Sequence, residues 1–342
     1  MSEIVQQALR QLQSGEAISS QDAEAIFSDI MQGEATPAQI GALLMGLSIR
    51  GETPDVVAGA AKAMRSASLT ISPKTRPLLD TCGTGGDGAS TFNISTCVAL
   101  AVAACGQAVA KHGNRAISSK SGSADVLEAL GVRLDISPQR VAECIDEVGI
   151  GFLFAPGHHP AMKHAAGPRK ELGLRSIFNL LGPLTNPANA EYQVLGVFSA
   201  DKLELVAGAL QQLGIKRALV VHGRDGLDEI TTTAITDAIL VEQGSELKRF
   251  EIDPKAFGIP YAKLEHLAGG DALANASFLR KTLTCKQPSP DRDIVLLNAA
   301  AALWVAERAN SIDQGIGIVA EAIDSGKVKQ VIQNLIDFTQ KQ

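Results

Sequence analysis

The residues best suited to chemistry fall in three loops. The first is Asp80-Thr81-Cys82-Gly83-Thr84-Gly85-Gly86-Asp87-Gly88, at the end of the short apolar run Pro77 to Thr81. Its glycines permit positive φ and let backbone N–H groups approach an anion, so it reads as a phosphate or pyrophosphate cradle. No Gly-Lys-Ser/Thr follows, which excludes a Walker A loop, and Gly83, Gly85 and Gly86 lack the third glycine of a dinucleotide fingerprint. Taken alone, the alternative for such a cluster is a tight structural turn, the lesser of the two readings. Thr91 and Asn93-Ile94-Ser95-Thr96 open the next helix, where hydroxyls and free N–H groups converge and favour an anion. The second loop, Lys111-His112-Gly113-Asn114-Arg115 and on to Ser118-Ser119-Lys120-Ser121-Gly122-Ser123, adds fixed positive charge and more hydrogen-bonding side chains.

The third is Gly223-Arg224-Asp225-Gly226-Leu227-Asp228-Glu229-Ile230, whose adjacent carboxylates Asp228 and Glu229 suit a magnesium ion bound through oxygen and water. A solvated acidic turn is the alternative for this segment alone. His158, His159 and His164 match no zinc spacing. Arg169, just beyond them, has the planar fork to clamp a carboxylate through two parallel bonds, although helix-surface arginines are common. Cys82 is read as a small buried thiol in preference to a nucleophile.

These loops need elements to hold them. Residues 1–70 read as four short helices, with Gly15, Gly33 and Gly51 at C-terminal caps and Thr36-Pro37 and Thr53-Pro54 as N-cap followed by first-turn proline. From Arg76 onward, strands and helices alternate. Strands are expected at Pro77 to Thr81, Gln107 to Lys111, Ile150 to Phe154, Gln193 to Phe198 and Ala218 to Val221. Helices are expected at Cys97 to Cys105, Ala124 to Leu130 and near Pro138 to Val148, with a polar loop from His112 to Gly122. That order implies right-handed crossovers and a largely parallel sheet. Pro160 to Leu181 reads as two helices broken near Gly173, stopped by Gly182-Pro183 and packed back on the N-terminal helices; Ile294 to Asn310 and Ile316 to Asp324 read as closing helices. The fold class is therefore α/β: a small all-helical domain plus a large domain whose mostly parallel central sheet is flanked by helices. The helical domain spans residues 1–72, joined by the helices of about 160–183, and the α/β domain takes 73–159 and 184–342. The cleft between them faces the ends of the first strands, where open α/β sheets bind ligands.

Composition narrows the class further. A chain of 342 residues with 45% hydrophobic side chains fills two globular units, and a net charge of −6 without basic runs leaves no footprint for non-specific nucleic-acid binding. Five widely spaced cysteines without CxxC signal neither disulfides nor zinc, so a reducing, cytoplasmic setting is expected. The start reads as an amphipathic helix and not as an export signal, and no membrane span is expected.

Together GTGGD at 83–87, NIST at 93–96, KHGNR at 111–115, RKELGLRSIFNLLGPLTNP at 169–187 and DGLDE at 225–229, in this order over nearly the whole chain, resemble the anthranilate phosphoribosyltransferase family. The resemblance implies transfer of the phosphoribosyl group of 5-phosphoribosyl 1-pyrophosphate (PRPP) to the amine of anthranilate, with loss of pyrophosphate, in tryptophan biosynthesis. By that resemblance Gly83, Gly86, Asp87, Thr91, Asn93, Ile94, Ser95, Thr96, Lys111, Ser119 and Ser123 hold PRPP. Ser95, Asp228 and Glu229 hold Mg2+, and Gly83, His112, Asn114 and Arg169 bind anthranilate, with no nucleophilic side chain. It also implies the fold shared with pyrimidine nucleoside phosphorylases and a homodimer joined through the helical domain. Ser176 after Arg175 leaves the fine shape of the acceptor pocket open. A pyrimidine nucleoside phosphorylase and a nucleic-acid-binding relative without activity are the two rivals; the KHGN segment and the Arg169 to Pro187 block weigh against the first, and the intact phosphate and metal motifs with the acidic charge against the second.

Overall fold

The computed structural model describes residues 1–116 and 120–341. Four helices come first: α1 (Glu3–Ser14), α2 (Ser20–Gln32), α3 (Pro37–Arg50) and α4 (Pro54–Ser66). Their ends follow from local chemistry. Thr36 and Thr53 accept from the N–H groups of Gln39 and Val56, each ahead of a first-turn proline, and Gln39 completes a capping box. Gly15 and Gly33 close α1 and α2 in the left-handed region, at φ 83° and 82°.

Seven strands form one sheet: β1 (Leu79–Asp80), β2 (Val109–Gly113), β3 (Ile150–Phe154), β4 (Tyr192–Gly196), β5 (Arg217–Gly223), β6 (Thr236–Glu242) and β7 (Lys248–Ile252), in the order β3-β2-β1-β4-β5-β6-β7. The first five run parallel and β6 and β7 return antiparallel. The remaining helices are α5 (Ile94–Ala104), α6 (Ser123–Leu130), α7 (Pro138–Val148), α8 (Ala155–His158), α9 (Lys163–Leu172), α10 (Phe178–Leu184), α11 (Leu203–Gln212), α12 (Ala272–Thr282), α13 (Pro290–Val305), α14 (Ile312–Asp324) and α15 (Lys327–Gln340).

Two extensive apolar clusters back the sheet. Side chains of α5 and of α13 to α15 pack around Leu79, Val109 and Leu219. In the second cluster Phe27, Leu43 and Val57 of the N-terminal helices join Leu181, Val206 and Val220 in one continuous core, so the helical unit seats directly on the far sheet face. Among the described residues, no helix is long and apolar enough to cross a membrane.

Several boundaries differ from the sequence reading. His112 and Gly113 are the last residues of β2 and not loop residues, because they continue the register with Leu153 and Phe154. α10 runs through Gly182 and Pro183 to Leu184. The proline lies in a helix of only seven residues, whose last carbonyls lack intrahelical partners in any case. The antiparallel pair β6 and β7, and helices α11, α12 and α15, were not foreseen.

Candidate active site

β1 lies between β2 and β4, both parallel to it, so the sequence order reverses there and a crevice opens at the carboxyl ends of these strands. The glycine loop leaves β1, the Asn114 loop leaves β2, and the carboxylate loop leaves β5. The glycine loop is moored to β4: Thr84 N–H donates to the Gly196 carbonyl (2.8 Å), and Thr84 Oγ1 accepts from Phe198 N (3.0 Å). Gly85, Gly86 and Gly88 take positive φ, as a cradle of backbone N–H groups requires.

The carboxylate loop reaches back to the same place. Asp228 Oδ2 accepts from Gly85 N (2.7 Å), and Glu229 Oε1 accepts from Ser95 N at the start of α5 (3.1 Å). Burial holds both carboxyls well above the usual carboxylate range. The charge of Asp87 adds to this at Asp228, and the charge of Asp228 does so at Glu229. Buried, mutually repelling carboxylates at a glycine cradle are a donor set suited to a hard divalent cation. Magnesium binds through one or two carboxylates together with water and substrate oxygens. Asp225 instead shapes the turn, where its carboxylate accepts from the hydroxyls of Thr231 (2.7 Å) and Thr233.

Lys111 is almost fully buried beneath α5. Its ammonium donates to Thr81 O (3.2 Å), Thr81 Oγ1 (3.3 Å) and Ser95 Oγ (3.2 Å), so it lies beneath the glycine loop and the start of α5. The side chains of Ile94 and Thr96 are also buried, leaving the backbone of α5 as the part they can offer. Asn93 is held from both ends, donating to Ser121 O (3.3 Å) and accepting from Asn275 Nδ2 (2.9 Å). Thr91 pairs with Ala268 through a single backbone bridge.

His112 is buried, with Nδ1 3.1 Å from Gly182 O of α10 and its ring 5.1 Å from that of His159. Burial, with the charge His159 would carry as a lesser cause, pulls its pKa down to about 3, so it is a neutral imidazole. Asn114 and Ser123 meet at the rim, where Ser123 Oγ donates to Asn114 O (3.4 Å). Arg169 lies over the Phe178 ring at 4.9 Å, and no hydrogen bond joins it to Gly83, His112 or Asn114. Ser119 lies outside the described residues. Cys82 has its thiol pKa raised, first by burial and then by the Asp80 carboxylate, in keeping with an inert thiol.

Three residues at the site were missed. A Cβ on Gly196 would stand 1.5 Å from the Asp228 carbonyl, so glycine there is what lets the carboxylate loop lie across β4. Asn275, nearly 200 residues from Asn93, orients its amide. Arg175 donates to the Gly86 carbonyl. An isolated glycine ending an apolar run was the one signal for the first; nothing marked Asn275, and Arg175 was noted only as the residue before Ser176.

A helical bundle seated on a mostly parallel sheet, with a glycine loop and two buried carboxylates at the strand ends, is the arrangement of a glycosyl-transfer fold. The glycosyl transferase family helical bundle domain matches residues 6–68, and the glycosyl transferase family a/b domain matches residues 75–329. Anthranilate phosphoribosyltransferase of Acetivibrio thermocellus is 52% identical over 336 residues, 98% of this chain and 97% of that protein. The crystal structure of anthranilate phosphoribosyltransferase from Thermus thermophilus is 44% identical, with a TM-score of 0.91 over 98% of this chain and 99% of that one. That from Saccharomyces cerevisiae, in complex with PRPP and Mg, is 28% identical, with a TM-score of 0.90 over 99% and 98%. The chain belongs to the anthranilate phosphoribosyltransferase family.

Proposed function

We propose that this enzyme transfers the phosphoribosyl group of PRPP to the amine of anthranilate, in tryptophan biosynthesis. The C1–oxygen bond to pyrophosphate breaks with its electron pair leaving on oxygen, an N–C1 bond forms, and the amine proton is released. The observation that carries this reading is the convergence of Asp228 and Glu229 on Gly85 and Ser95, which joins a carboxylate pair to a backbone anion cradle.

Backbone N–H groups of the loop from Gly83 to Gly86, with Asp87, Thr91, Ser119, Ser123 and the 93–96 turn, bind the phosphates of PRPP, and Lys111 contributes positive charge from beneath. Asp228, Glu229 and Ser95 hold Mg2+, which when bound offsets charge on the pyrophosphate oxygens. Glu229 also accepts from the Ser95 N–H at the start of α5.

Gly83, His112, Asn114 and Arg169 form the acceptor pocket. Arg169 is desolvated enough to have its pKa lowered and has no acidic partner among the described residues, as an anthranilate carboxylate requires. The acceptor is a weak neutral amine, so orientation at the ribosyl carbon and exclusion of water supply much of the acceleration. A neutral His112 adds no cation to compete with Arg169.

The helical unit, residues 1–72 with about 160–183, packs on the α/β unit of 73–159 and 184–342. Met1, Ile4 and Ile49, exposed at and along α1 and α3, support a homodimer through this unit, with the cytoplasm as its setting. The deciding experiment follows the loss of anthranilate fluorescence with PRPP and magnesium, leaving out each component in turn. Loss that needs all three supports the reading. A folded protein that binds PRPP yet consumes no anthranilate refutes it and directs the search to nucleobases with phosphate.

A further inference from the structure

Among the described residues, five arginines place the guanidinium over an aromatic ring: Arg115, Arg140, Arg169, Arg175 and Arg217. Three of them also pair with an acid, Arg115 with Asp125 (3.0 Å), Arg140 with Glu143 (2.9 Å) and Arg217 with Glu242 (3.0 Å). Such pairs satisfy the cation within the protein. Arg169, in the last turn of α9, and Arg175, in the connector from α9 to α10, have no acidic partner among the described residues. Arg169 is accounted for by the acceptor carboxylate, but Arg175 is not used by the reaction as described.

Arg175 has a defined place. Its guanidinium donates to the Gly86 carbonyl at 2.5 Å and lies 4.4 Å over the Phe198 ring. Phe198 is itself tied to the glycine loop through Thr84 Oγ1. The contacts close a circuit from the α9–α10 connector to the glycine loop, to the residues after β4 and back.

The Gly86 carbonyl matters because a trans peptide is planar, so its C=O and N–H point in opposite directions. Holding the Gly86 oxygen towards Arg175 turns the Asp87 N–H to the other side of the loop. Gly86 sits at φ 79°, and a free glycine peptide of this kind turns over readily. A charged donor on the carbonyl opposes that rotation and leaves an electropositive partner beside a loop otherwise bordered by Asp87 and Asp228.

We infer that Arg175 is a positioning residue for the pyrophosphate-binding loop, fixing the 86–87 peptide so that its N–H faces the phosphate. The inference rests on the reading of that loop as the PRPP site. Because α9 packs against α2 and α3, the same contact ties the helical unit to the loop.

The test compares Arg175→Gln, Arg175→Lys and Phe198→Leu with the wild type. Direct titration of PRPP and of pyrophosphate, each with magnesium, is independent of the acceptor, and steady-state KM values for both substrates accompany it. Removing one charge-assisted bond predicts PRPP and pyrophosphate affinities about ten- to a hundredfold weaker in Arg175→Gln, with the anthranilate KM within about twofold and the Tm unchanged. Arg175→Lys, which keeps a cationic donor, recovers most of the loss, and Phe198→Leu moves in the same direction by less. Unchanged PRPP affinity in Arg175→Gln overturns the inference, and so does an equal rise in both KM values with a lowered Tm. Failure of the wild type to consume anthranilate refutes the reaction instead, while the PRPP titrations still decide the role of Arg175.

Discussion

Replacing Gly196 by alanine tests whether the carboxylate loop is placed by β4. The added Cβ would sit 1.5 Å from the Asp228 carbonyl oxygen and 2.3 Å from its carbon, and ordinary contact starts near 3.4 Å. Strand and loop must therefore separate by about 2 Å. β4 is hydrogen-bonded on both sides, to β1 and β5, so the loop is the part that gives. A shift of that size breaks the 2.7 Å bond from Gly85 N to Asp228 and draws Glu229 off Ser95. Misplacement of about 1 Å costs on the order of a hundredfold in rate. We expect kcat to fall at least that far and half-saturation to need more magnesium, while overpacking costs about 1–3 kcal/mol of stability. The assay is anthranilate fluorescence at saturating PRPP across a magnesium titration, with thermal unfolding alongside. Gly317→Ala is the control, since that helical site has open space around the new methyl and should be neutral or slightly stabilised. Wild-type kcat and magnesium dependence in Gly196→Ala would refute the reasoning.

Asp228→Ala combined with Glu229→Ala should abolish magnesium-dependent turnover. The metal-free fold should become more stable at pH 8 than the wild type, because carboxyls whose folded pKa is raised lose their stabilisation as pH rises; unchanged kinetics removes them from the site. Arg169→Ala should raise the KM for anthranilate about tenfold or more and barely move that for PRPP, and equal effects on both contradict the clamp. His159 has its pKa lowered to about 4 by burial, so its stabilisation is complete above pH 6.5 and disappears as pH falls towards 4. At pH 5 that amounts to about 2 kcal/mol. Asp80, whose pKa burial raises to about 6, works the opposite way over the same interval. Urea titrations of wild type and His159→Asn between pH 5 and 7 should therefore diverge, and parallel curves contradict the assignment.

The N-terminal helices were legible because their ends are written in short-range chemistry: threonine before proline, glycine after the last turn. β3 and α7 were read to the residue for the same reason. β6 and β7 were not read as strands at all, and their antiparallel return is set by pairing on β5, which no local signal shows. The loops that carry chemistry announced themselves by residue type, and the structure brings the glycine loop, the α5 turn and Asp228-Glu229 together. What stayed hidden depends on packing between distant segments. Gly196 matters only because a loop over 30 residues later crosses it, and Asn275 only because α12 lies against Asn93. Lys111 showed its charge but not its burial, because a lysine in a strand is ordinarily expected to reach solvent.

Asn298, in the interior of α13, accepts from Ile230 N (2.9 Å) and donates to Ile230 O (2.7 Å), and it is 1% exposed. The residue directly after the two carboxylates is thus fastened by a side-chain amide to a helix in the middle of the core. Local opening of that turn requires breaking two buried bonds, so its amide should exchange with solvent only in the slow, cooperative events that expose α13. The carboxylate wall of the crevice therefore behaves as part of the scaffold.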